Sequence, residues 1–318
     1  MSGPEAAQVP PGELCYSSGR WIPYDQARIP VWDLGFTMGV TLTERLRTYR
    51  GELPLLQRHL DRLQGGLSVV GLELPISLDE LGQIAKRVVE YNRQAIDADS
   101  DLSLSLCITG GAQASAAPPS GVPEDCPPCG QPTILVATQP LPFAKWAHQY
   151  EQGVALASVD YREIPTSSLP RSIKHRNRMH YYLADRQAQQ RHPGSRALLL
   201  AADGSVAEAT TAAIALVSGG QLLAPPAEDV LPSIAFSIAT ELSAEAGLPL
   251  VRRRMDPSEI AQADEVLWFS TSVGVLPVVA FNGQPVGQAE GPVLLDLLKR
   301  WSARLGVDLR QQALRFGG

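Results

Sequence analysis

Hydrophobic positions recur along this chain with two periods, and those periods divide it into helices and strands. Leu56, Leu60, Leu63, Leu67 and Val70 share one helical face across residues 55–70. A second helix opens on the capping box Ser77-Leu78-Asp79-Glu80 and continues through Leu81, Ile84, Ala85, Val88 and Val89. Leu102, Leu104, Leu106 and Ile108 alternate with other residues, which predicts a strand with one buried face. Residues 133–138 form an apolar strand pattern. Nearer the start, short strand signals lie around Cys15-Tyr16 and Arg20-Trp21-Ile22. The β-branched stretch 32–49, closed by an Arg50-Gly51 turn, reads as a hairpin.

The second half alternates strand and helix patterns. Strands are predicted at 154–159, 197–201, 213–217, 265–270 and 276–281, with an Asp203-Gly204 turn ahead of a strand that carries Glu208. A helix starts at Ser233 with Ile234, Ile238, Leu242 and Ala246 on one side and Gly247 as its stop, and another spans 292–305. Residues 110–132, rich in Gly, Ala, Pro and Ser, read as an exposed loop. Residues 1–12 read as a disordered lead and 140–146 as a boundary. The expectation is an α/β protein in two domains: an N-terminal one of α+β character over 13–139 and a mixed α/β one over 147–318. A length of 318 residues suits two domains.

Composition narrows the functional classes. A net charge of -6 argues against nucleic-acid binding, because phosphate contacts need a basic face. The N-terminus lacks the pattern of a signal peptide, and no apolar run is long enough to span a bilayer, so a cytoplasmic protein is expected. Cys126-Pro-Pro-Cys129 has metal or redox spacing, but no second Cys/His pair completes a zinc site, and loop cysteines are the simpler reading.

Lysine is scarce, and the scarcity singles one out. Of Lys86, Lys145, Lys174 and Lys299, the first and last fall in amphipathic helical patterns and Lys145 in the boundary segment. Lys174 is set among Arg171, His175, Arg176, Arg178 and His180. Neighbouring cations disfavour a further positive charge, which leaves more free amine for attack on a carbonyl. A basic, solvated helix start is the plainer alternative. Ser233 and the N–H groups of Ile234 and Ala235 offer a helix N-terminus to an anion. Residues 270–274 cluster hydroxyls and N–H groups.

Taken in order, these pieces resemble the fold-type IV pyridoxal-phosphate enzymes, the class that includes branched-chain aminotransferases, D-amino-acid transaminases and aminodeoxychorismate lyases. The resemblance covers about residues 13–290. Its first motif runs from Asp33-Leu34-Gly35 through Gly39 to Glu44, with Arg47; its second is His59-Leu60-Asp61-Arg62-Leu63; its third is Lys174-His175-Arg176-Asn177. Glu208, Leu231-Pro232-Ser233-Ile234 and Thr271 complete it.

The resemblance implies pyridoxal 5'-phosphate as cofactor, in a cleft between the two domains. It implies that Lys174 is the Schiff-base lysine and later the base that moves the Cα proton. Glu208 would pair with the pyridine nitrogen and keep it protonated. Arg62, Ser233, Ile234, Ala235 and Thr271 would hold the phosphate. Glu44 would belong to the network that positions Lys174. Phe36, Thr43, Ser105, Thr271 and Ser272 are the substrate candidates. Leu34, Val40-Thr41, Thr43, Ser105 and Gly110 depart from the family pattern, the last two where relatives carry substrate-recognising arginines. The resulting expectation is an aminotransferase acting on an amino acid and a 2-oxo acid, with a branched-chain L-amino acid as donor and a homodimer as the working form. The lysine segment, close to a form found in lyases, keeps an aminodeoxychorismate lyase open, and a D-amino-acid transaminase is the third reading.

Overall fold

The computed structural model describes residues 9–113, 115 and 121–318. Residues 1–8 of the expected disordered lead, and 114 and 116–120 of the expected loop, lie outside the described residues. Helices and mixed sheets make the fold α/β. The chain divides into two compact units, one comprising Met1–Leu141 with Ser172–Asn177, the other Pro142–Arg171 with Arg178–Gly318.

The first unit is built on an antiparallel sheet of β1 (Leu14–Ser17), β2 (Arg20–Pro23), β3 (Thr41–Arg47), β4 (Leu102–Thr109) and β5 (Ile134–Pro140), in the order β2-β1-β5-β4-β3. Side chains alternate along a strand, so each strand has two faces. On one face Leu42 and Leu46 of β3 join Leu104, Leu106 and Ile108 of β4, all at most 2% exposed. Two helices pack on the sheet, α2 (Leu56–Val70) on β3 and α3 (Leu78–Asn92) on β5 and β1. Leu56, Leu60, Leu63 and Leu67 supply the buried stripe of α2, each contributing roughly 2 kcal/mol by removal from water. The capping box at Ser77 behaves as expected, its hydroxyl accepting the Glu80 N–H. The other face is polar: Thr41, Thr43 and Arg45 stand in register with Thr109, Cys107 and Ser105.

The hairpin expected over 32–49 is not formed. Residues Leu34–Thr37 make a short helix, α1, and β3 pairs with β4 across a long sequence separation. The cause lies in Asp33, which caps α1 through the Gly35 N–H and accepts the hydroxyls of Thr109 and Thr133. Those bonds fix the chain in a helical turn where β-branched content alone favours a strand. The Arg50-Gly51 turn is real but joins only Tyr49 to Glu52. Residues 9–12 are not a free lead either. Val9 is buried and its carbonyl accepts the Tyr91 hydroxyl, while the Gly12 N–H donates to Asn92.

The second unit contains a mixed sheet in the order β11-β10-β9-β12-β13-β6-β7-β8, with β14 (Gln284–Pro285) on β13. Its strands are β6 (Val154–Arg162), β7 (Arg196–Leu200), β8 (Val206–Ala209), β9 (Ala213–Ser218), β10 (Gln221–Ala224), β11 (Leu250–Arg252), β12 (Glu265–Ser270) and β13 (Gly274–Phe281). The pairs β13–β6, β6–β7 and β10–β11 are parallel and the others antiparallel. Its helices are α4 (Phe143–Gln152), α5 (Met179–Arg191), α6 (Ile234–Glu245), α7 (Pro292–Leu305) and α8 (Leu309–Gly317). Helices α4 and α8, which pack on one another, escape the sequence reading. Helix α4 follows Pro142 without a side-chain cap, although Phe143, Trp146, Ala147 and Tyr150 have helical spacing. Helix α8 is announced by Asp308, whose carboxylate accepts the Gln311 N–H.

Candidate active site

Lys174 does not sit at a helix start. It precedes α5 by five residues and lies in an extended segment on the edge of β3 away from β4. The Thr43 N–H donates to the Lys174 carbonyl at 2.9 Å, and the Arg176 N–H donates to the Thr41 carbonyl at 2.9 Å, around a bridge between Leu42 and His175. Ile173 is buried, which holds the segment down beside a partly buried Lys174.

Glu44, next to Thr43 on β3, faces α2 rather than the polar side of the sheet. One turn of helix separates His59 from Arg62, so both reach the same carboxylate. His59 Nδ1 lies 2.7 Å from Glu44 Oε2, while Arg62 Nε and Nη2 donate to Oε1 and Oε2 at 2.8 and 2.6 Å. Glu44 and His59 are fully buried. Burial works against the Glu44 charge, but the hydrogen bonds from Arg62 and His59 prevail and hold its carboxyl down at about 2. Burial in turn depresses the pKa of His59, against the pull of Glu44. The imidazole is then neutral with its proton on Nδ1, and Nε2 is a buried acceptor with no hydrogen-bond partner among the described residues. The hydrogen bonds of Glu44 thus run to His59 and Arg62.

In the second unit Glu208 sits on β8, buried. The Tyr181 hydroxyl donates to its Oε1 at 2.8 Å, and the Leu231 N–H approaches its Oε2 at 3.4 Å. Burial, reinforced by the negative charge of Glu163, pushes the Glu208 carboxyl up to about 7, against the Tyr181 hydroxyl and the Arg171 guanidinium. Glu163 follows β6 and takes hydrogen bonds from Arg171 and, at 3.2 Å, from His180 Nε2. His180 and Tyr181, neighbours on the first turn of α5, therefore serve two buried acids.

Ser233 caps α6, accepting the Phe236 N–H at 3.2 Å, and leaves the first-turn N–H groups of Ile234 and Ala235 without an intrahelical partner. The ring of Phe236 meets Phe269 edge-on at 5.4 Å, tying the start of α6 to the end of β12. Thr271 and Ser272 lie in the turn that follows β12, partly exposed. Within this unit Glu208, the Leu231–Ala235 stretch and the Thr271 turn are thereby linked. Of the substrate candidates in the first unit, Thr43 is buried with its hydroxyl on the Leu106 carbonyl, Ser105 is half-buried on the same sheet face, and Phe36 is largely exposed on α1. Sequence reasoning missed Glu163, Tyr181 and the role of His59. No local spacing marks Glu163, since its partners lie on a different helix and loop.

Residues 41–281 match the model of the family Amino-transferase class IV. The chain belongs to that family. The class IV assignment makes it a pyridoxal-phosphate-dependent aminotransferase. A Methanocaldococcus jannaschii relative named as a branched-chain-amino-acid aminotransferase is 25% identical over 286 residues, 89% of this chain and 93% of its own length. The D-alanine aminotransferase of Bacillus licheniformis is 25% identical over 278 residues, 87% of this chain and 91% of its own. The structure of the Escherichia coli branched-chain amino acid aminotransferase shares the fold, with a TM-score of 0.80 at 20% identity over 95% of this chain and 96% of that one.

The buried residues suit the cofactor. A carboxyl as costly to ionise in isolation as Glu208 is relieved by a cationic N–H partner, which a protonated pyridine nitrogen provides.

Proposed function

We propose that this class IV aminotransferase moves an amino group from a branched-chain L-amino acid to a 2-oxo acid, with Lys174 as the reacting amine and Glu208 as the acid paired to the cofactor's ring nitrogen. The observation that carries the reading is Glu208: a buried acid, raised to about 7, to which the described residues give one hydroxyl and one distant N–H. The branched-chain donor is supported by the relative from M. jannaschii.

When bound, pyridoxal phosphate supplies the carbonyl that takes up the amino group and the ring that draws electrons from the substrate Cα. Glu208, ionised, holds the proton on the ring nitrogen. Tyr181 keeps the Glu208 carboxylate oriented through its hydroxyl. In the first unit Arg62, steadied by its two-point pair with Glu44, is the cation proposed for the phosphate; in the second unit the first-turn N–H groups of α6 and the Thr271 hydroxyl are the donors proposed for it. The free amine of Lys174 would carry a proton to and from the substrate Cα. Thr43, Ser105, Phe36 and Ser272 line the substrate in this reading. The working form is a homodimer in the cytoplasm, with the exposed apolar residues Val31, Phe36 and Met38 at the interface.

Lys174→Ala tests the assignment. Turnover of a branched-chain amino acid with 2-oxoglutarate is expected to fall by at least about a thousandfold, since no other amine replaces base and nucleophile together. Wild-type turnover in that variant overturns the reading.

A further inference from the structure

The segment Ser172–Asn177, which carries Lys174, belongs to the first unit, while the chain on either side of it belongs to the second. Arg171, the residue before the segment leaves, and His180, just past its return at Arg178, meet on one carboxylate. Glu163 Oε1 accepts Arg171 Nη1 and, at 3.2 Å, His180 Nε2; the Ile164 N–H reaches the same oxygen at 3.2 Å. Arg171 Nη2 donates in turn to the Ile164 carbonyl, so the guanidinium grips side chain and main chain at one place. Glu163 is itself anchored. Its N–H donates to the Leu200 carbonyl at the end of β7, and its side chain is 2% exposed, with those of Arg171 and His180 at 11% and 15%.

A buried carboxylate survives only where donors offset the water it has lost. Burial opposes the Glu163 charge, but the hydrogen bond from His180 and the Arg171 guanidinium outweigh it and hold the carboxyl below its usual range. What that desolvation secures is a tie between the two ends of the lysine segment. The middle of the segment is held by only two main-chain bonds, Thr43 N–H to the Lys174 carbonyl and Arg176 N–H to the Thr41 carbonyl. Free ends would let it pivot on those bonds, and fastening the ends removes that freedom. The tie also extends to Glu208. The Tyr181 ring packs on His180 with centroids 4.2 Å apart, Arg178 lies over the same ring at 6.0 Å, and the Tyr181 hydroxyl donates to Glu208 at 2.8 Å.

We infer that Glu163 is a positioning residue of the reaction: by holding Arg171 and His180 together it fastens both ends of the Lys174 segment and, through His180 and Tyr181, sets the hydroxyl that orients Glu208. Glu163 acts through these neighbours and not by contact with substrate. The inference rests on the aminotransferase reading with Lys174 as the reacting amine and Glu208 as the acid paired to the cofactor. A misplacement of about 1 Å in a reacting group costs on the order of a hundredfold in rate, so a loosened segment is expected to slow the chemical step and leave substrate affinity nearly unchanged.

The test measures hydrogen exchange on the full chain freed of cofactor and kinetics on the holoenzyme, for Glu163→Gln, Glu163→Ala, His180→Gln and His180→Ala. In Glu163→Ala the Arg176 and Thr43 amides should exchange at least about tenfold faster, while amides of β9 and β10, at the other side of the second unit's sheet, keep their wild-type rates. Glu163→Gln keeps a neutral acceptor and should fall between Glu163→Ala and the wild type. The holoenzyme of Glu163→Ala should lose about tenfold to a hundredfold in kcat with KM within about threefold. The amide of a glutamine can donate where His180 Nε2 does, so His180→Gln should stay near the wild type in both measurements and His180→Ala should not. Wild-type exchange at Arg176 and Thr43 in Glu163→Ala overturns the inference, and so does an acceleration shared equally by β9 and β10, which marks a general loss of stability. Loosened exchange with wild-type kcat also overturns it, because the tie then has no part in the reaction. Failure of the Lys174→Ala prediction overturns the reaction reading instead, and the exchange measurement still decides whether Glu163 fastens the segment.

Discussion

Glu208 and Glu44 are both buried carboxyls, and their environments drive them in opposite directions. Glu208, raised to about 7, binds a proton in the cofactor-free folded chain that an unfolded chain has released above about 4.5. Its contribution to stability is therefore present below that lower value and is lost as pH rises towards 7, by roughly 3 kcal/mol over the interval. Glu208→Gln should flatten this decline. The check is a set of thermal melts of cofactor-free wild type and variant between pH 4.5 and 8, and parallel curves for the two would contradict it. Glu44 runs the other way. Held at about 2, it stabilises above about 4.5, and the gain disappears only as pH falls through 2. Glu44→Gln should cost about 3 kcal/mol at pH 7, since it removes the buried carboxylate that accepts two hydrogen bonds from Arg62. A urea midpoint equal to wild type would show that the pair is energetically idle. His59 stood in a readable motif, but only the fold reveals that its Nδ1 serves Glu44. Nothing in the sequence around Glu163 signals its partnership with Arg171 and His180, because the contacts come from separate elements.

At the scale of elements, periodicity located most of the core and turn chemistry located most of the stops. The stripe of α2, the alternation of β4 and the Ser233 start of α6 were legible because each depends on local spacing. The stretch 32–49 was misread because a tertiary cap at Asp33 outweighs β-branched propensity. Helices α4 and α8 were missed for a related reason: each is short, and the two find their stability in packing on one another. Phe143 meets both Trp146 and Phe316 by ring contacts, and a Cβ on Gly317 would come within 2.8 Å of Ala147 and of the Phe143 carbonyl. Removing residues 308–318 should therefore lower the melting temperature by several degrees, as expected for losing a few kcal/mol of apolar burial. A truncated chain that melts with the wild type would show that α8 is not part of the core. Gly111 is a sharper case. At φ +72°, with the Gln131 carbonyl only 1.8 Å from where a Cβ would stand, it admits no side chain without a backbone shift.

At the scale of the whole molecule, the residues proposed for the chemistry divide between the two units. Lys174, Arg62 and Glu44 belong to the first, with Lys174 carried there by the six-residue segment Ser172–Asn177. Glu208, Tyr181 and the start of α6 belong to the second. The motif series from Asp33 to Thr271 was readable in the sequence as a family resemblance, and the match to class IV amino-transferases agrees with it. For the proposed homodimer, light scattering on the purified enzyme should give twice 34.2 kDa, and replacing Phe36 and Met38 with polar residues should shift it towards the monomer. A wild-type mass of one chain would contradict the dimer.

The most direct measurement is the visible absorption of the purified holoenzyme, followed while L-leucine, L-valine or their D-forms are added and then a 2-oxo acid. An L-branched-chain donor is expected to remove the cofactor's visible band, and 2-oxoglutarate to restore it. A band that no amino acid changes, or one that changes only with D-amino acids, would contradict the proposed reaction.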